Sequence, residues 1–466
     1  MIPSGDNRVP DERRWLLCAC LVAAATHAFS YAFYPQDIPR SPDEKEYLAL
    51  GVQLAQSGEL CLPSGEVAKR MPLYPVFIAG VHEWQRADVW QNAILLLQTF
   101  LAWCTVLLIA LTAERLADGR AALLAALIAA LYSPYRLLQM SFLTETLLIF
   151  LLSLAVFIYV IAGIRHGSAV IRSTALLGVS AAIGLAVLTR ANALLFIVPF
   201  ALDTVLRAGS PRWRVARVAM ILLPVAACAA MWCWRNEDRV GRFTLSTVGG
   251  LNFYLGHNPG YSESPDLAHA DYQIFRRLQT EEGLSEVQAD QRLFADGLNF
   301  IAKNPGQTFV NTAYKLVVWL TPAVTLSAPT TVVLALGFLA FHGLRRERKK
   351  PATGVRRFLF LFSLTAFIPA LVLWFIVLFT TFQPWTTPQA VLPLGLIALV
   401  LLRTEPNVRG LLAGLFVSQL LVALVFIPLV RLRWTVDGVL IIALAVGLSH
   451  LCRWLSGESD GAGEPS

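Results

Sequence analysis

Residues 142–164 read FLTETLLIFLLSLAVFIYVIAGI, an apolar run interrupted by a single carboxylate, Glu145. As a helix this run would extend roughly 34 Å, against a hydrocarbon core about 30 Å thick. It therefore predicts a membrane span. The strands of an outer-membrane barrel alternate polar and apolar residues, and this run does not. Further apolar runs occupy 15–34, 92–112, 121–138, 173–189, 192–206, 217–234, 328–343, 358–380, 389–403, 410–429 and 435–452. The expected fold is all-α: a polytopic helical membrane protein with about twelve spans, eleven to thirteen allowing for the short runs. Composition agrees, since 56 % of the 466 residues are apolar and only 15 % charged. Soluble domains carry roughly 25 % charge. A soluble enzyme, a disordered chain and a disulfide scaffold are excluded on these grounds. The net charge of +7 does not point to nucleic acid, because the basic residues sit between apolar runs, where they act as topology signals.

Those signals set the sidedness. The connections 164–173, 207–217 and 344–357 are rich in arginine and lysine, and positive-inside bias places them in the cytoplasm. They fall on one side, with the N-terminus, only if the short segment 71–84, which contains Pro72 and Pro75, lies on the membrane without crossing it. The expected arrangement is one membrane domain over 1–466 with both termini cytoplasmic, in a bacterial inner membrane. It carries a first outer loop, 35–91, with juxtamembrane helices, and a large outer loop, 235–327. In the second loop Ser285 is placed to cap a helix, with Gln288 three residues on, and Asn304-Pro305-Gly306 to end it. The run from Trp15 to Phe33 is long for a signal-peptide core and reads as a retained first span. Six of the seven cysteines lie in apolar stretches, where a thiol packs as a small hydrophobe. Cys228 and Cys233, five apart, read as helix packing in preference to a metal pair.

A charge at bilayer depth costs at least a few kcal/mol, so the charges flanking the spans are informative. Ser41-Pro42-Asp43-Glu44-Lys45-Glu46-Tyr47 follows the first span; it is either a solvated acidic loop or a site in which one of the adjacent carboxylates faces a ligand. Lys69-Arg70-Met71-Pro72-Leu73-Tyr74-Pro75 sets two cations before a rigid turn at the membrane surface. That suits a lipid phosphate, and equally suits ordinary snorkelling. Glu145 needs a cationic partner, with Arg136 and Arg190 as candidates. Arg190 lies on the outer side, where positive-inside bias disfavours it, and so faces something anionic. Trp234-Arg235-Asn236 ends another span. Beyond it, Gly249-Gly250 and Gly256-His257-Asn258-Pro259-Gly260 either simply form turns or combine backbone freedom with hydrogen-bonding side chains suited to sugar hydroxyls or phosphate. The polar groups gather at the outer interface and not at mid-membrane, where a transporter would be expected to hold them.

With Asp43-Glu44 and Tyr47, Arg70-Met71-Pro72-Leu73-Tyr74-Pro75, Ala113-Glu114-Arg115-Leu116-Ala117-Asp118-Gly119-Arg120, Leu143-Thr144-Glu145, Leu188-Thr189-Arg190 and Trp234-Arg235-Asn236 through Asn258-Pro259, in that order, the chain resembles bacterial members of the glycosyltransferase C superfamily. It is similar to the dolichyl-phosphate-mannose–protein mannosyltransferases and the aminoarabinose transferases. The resemblance covers roughly residues 13–260. It implies transfer of a sugar from a polyprenyl-phosphate donor to a protein, lipid or glycan acceptor on the outer side, with inversion at the anomeric carbon. It implies Asp43 as the catalytic residue, with Glu44 and Glu145 beside it. Lys69, Arg70, Arg190 and Arg235 would meet the donor phosphate; Tyr47, Tyr74, Asn236, His257 and Asn258 would line the substrate. Membrane lipid is the other expected partner. Family members often carry an arginine in the outer segment 383–389, which has none here. A divalent metal could assist, but the sequence offers no clean ligand set. The competing expectation is a transporter or flippase of lipid-linked sugars without transfer activity.

Overall fold

The computed structural model describes residues 10–33, 41–84, 89–161, 169–207, 211–261, 273–320, 386–401 and 406–455. The expected spans at 328–343 and 358–380, and the segment 383–385, lie outside them. The described residues form helices joined by turns and loops, with no strand among them. In chain order the helices are α1 (Pro10–Phe33), α2 (Pro42–Ser57), α3 (Leu73–Trp84), α4 (Trp90–Leu116), α5 (Gly119–Leu131), α6 (Ser133–Gln139), α7 (Glu145–Ile161), α8 (Ala169–Thr189) and α9 (Ile197–Arg207). They continue as α10 (Pro211–Val240), α11 (Gly249–Gly256), α12 (Gln273–Thr280), α13 (Glu286–Lys303), α14 (Pro305–Leu320), α15 (Thr386–Leu401), α16 (Pro406–Val425), α17 (Val430–Trp434) and α18 (Asp437–Leu455). A 3₁₀ segment, Ala191–Phe196, joins α8 to α9.

Among the described residues, three helices are long and apolar enough to cross a membrane: Trp90–Leu116, Arg212–Val240 and Val408–Val425. Four further apolar helices are shorter, including Glu145–Ile161 and Ser173–Thr189. The run at 121–138 is not one straight helix. It breaks at Tyr132 into α5 and α6, bent by 55°. Pro134 is the cause: its ring would collide with the Ala130 carbonyl and it has no N–H to give, so the chain leaves helical geometry at Tyr132 and restarts. The segment 71–84 forms only the twelve-residue α3, about 18 Å long, which is too short to cross.

At the centre, α4 packs against α1, α5, α7 and α18, and α8 packs against α7 and α10. Helix α5 turns Ala121, Ala122, Ala125, Ala126, Ala129 and Ala130 inward, all fully buried. With no side chain beyond Cβ, these rows let α1, α4 and α18 approach closely, which is how packing is gained where lipid tails are as apolar as leucine.

Helix α2 begins as its sequence requires. Ser41 caps it, Pro42 follows, and Glu44 completes a capping box, its carboxylate accepting from the Ser41 N–H at 3.1 Å. Gly58, in the left-handed region with φ 73°, ends it. Gly51 then lets α3 lie directly on α2, since a Cβ there would occupy the space of Ile78. In the second outer loop, Ser285 and Gln288 form the expected capping box at the start of α13.

Candidate active site

The start of α2, the loop before α3, the N-terminus of α7, the kink after α8 and the short helix α17 meet in one place. Asp43, half-buried in the first turn of α2, binds two guanidinium groups. Arg70 donates to its Oδ1 at 2.5 Å, and Arg431 donates to its Oδ2. Arg70 also donates from Nε to Glu46 at 2.8 Å, and Lys69 donates to Glu46 at 2.8 Å. The Arg70 guanidinium lies 5.1 Å from the centre of the Tyr47 ring. Glu145, fully buried at the N-terminus of α7, takes Arg190 at 2.5 Å and Arg431 Nε at 3.5 Å. Arg431 therefore bridges the two carboxylates. The partner that Glu145 needs is Arg190, joined by Arg431.

Electrostatics follow from this geometry. Burial alone would raise the Asp43 carboxyl, but the guanidiniums of Arg70 and Arg431 outweigh it and hold it far below the usual carboxylate range. Burial would lower Arg70, and Tyr47, Asp43 and Glu46 more than offset it. Arg431 is likewise raised, by Glu145 and Asp43 against its own burial. All three groups are charged at any working pH.

The remaining sequence candidates divide. Glu44 is buried, and its oxygens are taken by the Ser41 N–H and hydroxyl and by the Phe142 N–H at 3.2 Å. It ties α2 to the turn before α7, so Asp43 is the one of the two adjacent carboxylates on the cations. Tyr74 is buried below the cluster, edge-on to Tyr47 at 5.3 Å, donating to Gln98 at 2.6 Å. Arg235 stands apart from the cluster. It donates to the carbonyls of Val67 at 2.6 Å and Leu60 at 3.1 Å and to Asn236 at 3.0 Å, and its guanidinium sits over Trp232. Asn236 donates to Thr244 O. His257 and Asn258 bond to the last turn of α11: His257 Nδ1 donates to Phe253 O at 3.0 Å, and Asn258 to Tyr254 O at 2.9 Å. Among the described residues, none of these four hydrogen-bonds or ion-pairs with Asp43, Arg70, Glu145 or Arg190.

Arg235 instead helps to hold the loop that delivers Lys69 and Arg70. The second outer loop grips residues 67–69 from several directions. Buried Glu286, in the first turn of α13, accepts from the N–H groups of Val67 and Ala68 and from Thr247 Oγ1. The Thr247 N–H donates to Ala68 O, and the Ser246 hydroxyl to Lys69 O. Among the described residues, no three His, Cys, Asp or Glu side chains stand together as a metal ion would require.

The residue that sequence reasoning missed is Arg431. Its signal was present. Arg431 and Arg433 lie between the runs 410–429 and 435–452, on the side assigned as outer, so the argument that singled out Arg190 applies to them unchanged.

No family model matches the chain, and no curated protein matches it in sequence. Among solved structures it is similar to the Archaeoglobus fulgidus oligosaccharyltransferase in complex with zinc and sulfate, at 13 % identity and a TM-score of 0.47, over 95 % of this chain and 50 % of that one. It is similar to ArnT from Cupriavidus metallidurans bound to undecaprenyl phosphate, at 14 % identity and a TM-score of 0.41, over 95 % of this chain and 79 % of that one. A third is the S. cerevisiae protein O-mannosyltransferase Pmt1-Pmt2 complex bound to its sugar donor, at 16 % identity and a TM-score of 0.39, over 53 % of this chain and 36 % of that one. These structural neighbours are members of the glycosyltransferase C superfamily. The chain spans about half the length of the archaeal oligosaccharyltransferase.

Proposed function

We propose that this chain is a multi-pass membrane glycosyltransferase, of about twelve spans with both termini cytoplasmic in a bacterial inner membrane, moving a sugar from a polyprenyl-phosphate donor to an acceptor on the non-cytoplasmic side. One observation carries the reading: Asp43 and Glu145, 102 positions apart, share Arg431 and are flanked by Arg70 and Arg190. Such a cluster suits a phosphate ester leaving group. The acceptor hydroxyl gives its proton to an Asp43 oxygen as its own oxygen bonds to the anomeric carbon. The bond from that carbon to the phosphate oxygen breaks, and its electron pair leaves with the polyprenyl phosphate. Attack from the opposite face inverts the centre. No acid is needed for this leaving group; cations stabilise it.

The two ion pairs of Asp43 also support a route by which it would become a competent base. Clamped by two guanidiniums, it is a weak proton acceptor. A donor phosphate competes for Arg70 and Arg431, and each contact it takes from Asp43 returns basicity to the carboxylate where the acceptor binds. Donor binding and base activation are thus one event. Glu145 keeps Arg190 and Arg431 oriented while this exchange occurs.

The test is sugar transfer in proteoliposomes supplied with a lipid-linked monophosphate sugar. Activity in the wild-type protein and its loss in Asp43→Asn are expected. Undiminished transfer by Asp43→Asn removes the proposed base. Movement of donor across the bilayer with no transfer by the wild type replaces the reading with a flippase.

A further inference from the structure

The position of Arg431 is not explained by its own helix. Helix α17 has five residues, far below the roughly twelve to fifteen at which an isolated helix holds together in water. It follows an irregular stretch, Phe426 to Leu429, that contains Pro428. What fixes it comes from the second outer loop. Helix α14 carries Lys315 and Trp319 four residues apart, hence on one face, and both are fully buried. Lys315 Nζ donates to Leu424 O at 3.1 Å, a carbonyl in the last turn of α16, just before the irregular stretch. In return Arg433, on α17 and fully buried, donates from NH1 to Trp319 O at 2.9 Å, in the last turn of α14. Each contact sets a cation on the carbonyls that a helix leaves unsatisfied at its negative end. Arg433 Nε is further tied to Asp437 at 3.2 Å, in the first turn of α18. The Trp319 ring packs tilted against Phe416 of α16, ring centres 5.1 Å apart.

The Gly256-His257 pair backs this arrangement. His257 Nδ1 donates to a carbonyl, which leaves Nε2 bare to accept from Lys315 Nζ at 3.3 Å. A side chain at position 256 would meet Lys315 Nζ and the Phe426 carbonyl, so glycine is what lets the turn come this close.

We propose that Lys315 and Arg433 are positioning residues for Arg431: helix α14 straps the α16–α17 turn from both sides and so sets how well Arg431 reaches the donor phosphate. This rests on the phosphate-binding reading of Arg431 given above. Neither residue touches the reacting atoms; each acts through Arg431 alone.

The experiment is a double-mutant cycle on the full chain in proteoliposomes, reading KM for donor, kcat and the unfolding temperature. Lys315→Met and Arg433→Lys are each combined with Arg431→Lys. Each single variant is expected to raise donor KM about tenfold, the size that coupled neighbours reach, with kcat changed much less. Added to Arg431→Lys, neither should raise KM further, because the group it positions is already altered. Lys315→Arg, which keeps a cation on Leu424 O, should restore most of the loss. Multiplicative effects with Arg431→Lys, or an unchanged KM, overturn the proposal. Where Arg433→Lys lowers the unfolding temperature too far to assay, Lys315→Met, Lys315→Arg and Arg431→Lys carry the cycle, and an unchanged KM in Lys315→Met overturns the proposal. The same cycle is read as affinity for undecaprenyl phosphate in detergent. A wild type that binds this lipid with the expected coupling but transfers no sugar defeats the transferase reading and leaves the strap standing.

Discussion

Asp43 and Glu44 are adjacent carboxylates with opposite assignments, and geometry separates them. Asp43→Asn should reduce transfer by about 10²- to 10⁴-fold, the range for losing a positioned base, with little change in unfolding temperature. Glu44→Ala should act the other way. It removes a capping-box partner and the acceptor of the Phe142 N–H, so it should cost about 0.5–2 kcal/mol in denaturant unfolding while residual transfer persists. Arg431→Gln should lower transfer on the order of 10²-fold, as for one well-placed electrostatic donor. Part of that loss should be recoverable at raised donor concentration. The charges of this cluster were largely legible in the sequence. Glu145 and Arg190 stand out as charges beside apolar runs that need a partner, whereas Asp43 and Arg70 lie in charged stretches that also read as a solvated loop and as snorkelling, and the family resemblance is what singles them out. Arg431 has no motif around it and lies 388 positions from Asp43, although its flanks mark it as an outer-side arginine. The role of Glu44 was readable from Ser41 three positions earlier, by the spacing that identified Ser285 and Gln288.

At the scale of elements, the kink at Tyr132 and the grip of α13 on the first loop decide where the cations stand. The first departs from the single span expected over 121–138, although Pro134 in that run carries the signal for it. The second depends on Glu286, whose carboxylate meets backbone 219 positions away, and no local pattern encodes that. Glu286→Ala strands three donors and should cost about 1–3 kcal/mol for each that stays buried and unpaired, raising donor KM as Lys69 and Arg70 lose their fixed backbone. The α11–α14 contact should respond to pH. Burial pushes Lys315 down to about 7, from 10.5 in an open chain. Burial, with the Lys315 charge, pushes His257 down to about 4, from 6.5. In both cases the unfolded chain holds more protons between the two values, so stability falls as pH is lowered through each window. Unfolding temperature in detergent should drop from pH 10 toward 7 and again from 6.5 toward 4. Lys315→Met should flatten the upper stage and His257→Gln the lower.

For the whole molecule, the disposition of charge across the bilayer is the testable property. Ser57, exposed at the end of α2, belongs to the outer side in this arrangement. In a Cys61→Ser background, Ser57→Cys should react with a membrane-impermeant maleimide in spheroplasts without permeabilisation; labelling only after lysis would reverse the orientation. The all-helical character and the approximate runs were readable from hydropathy alone, because lipid leaves the backbone no choice but to bond within itself. The meeting of distant loops was not, because side-chain pairing between remote segments leaves no periodic trace.

The salt bridge between Asp43 and Arg431 joins residues 388 positions apart. During synthesis, every earlier member of the cluster has been threaded into the bilayer before the last arginine leaves the ribosome. Until then Asp43 has Arg70 alone, and Glu145 has Arg190 alone, of the guanidinium partners they bind in the folded protein. A chain cut short before Arg431 should therefore leave Asp43 and Glu145 without the cation that they share.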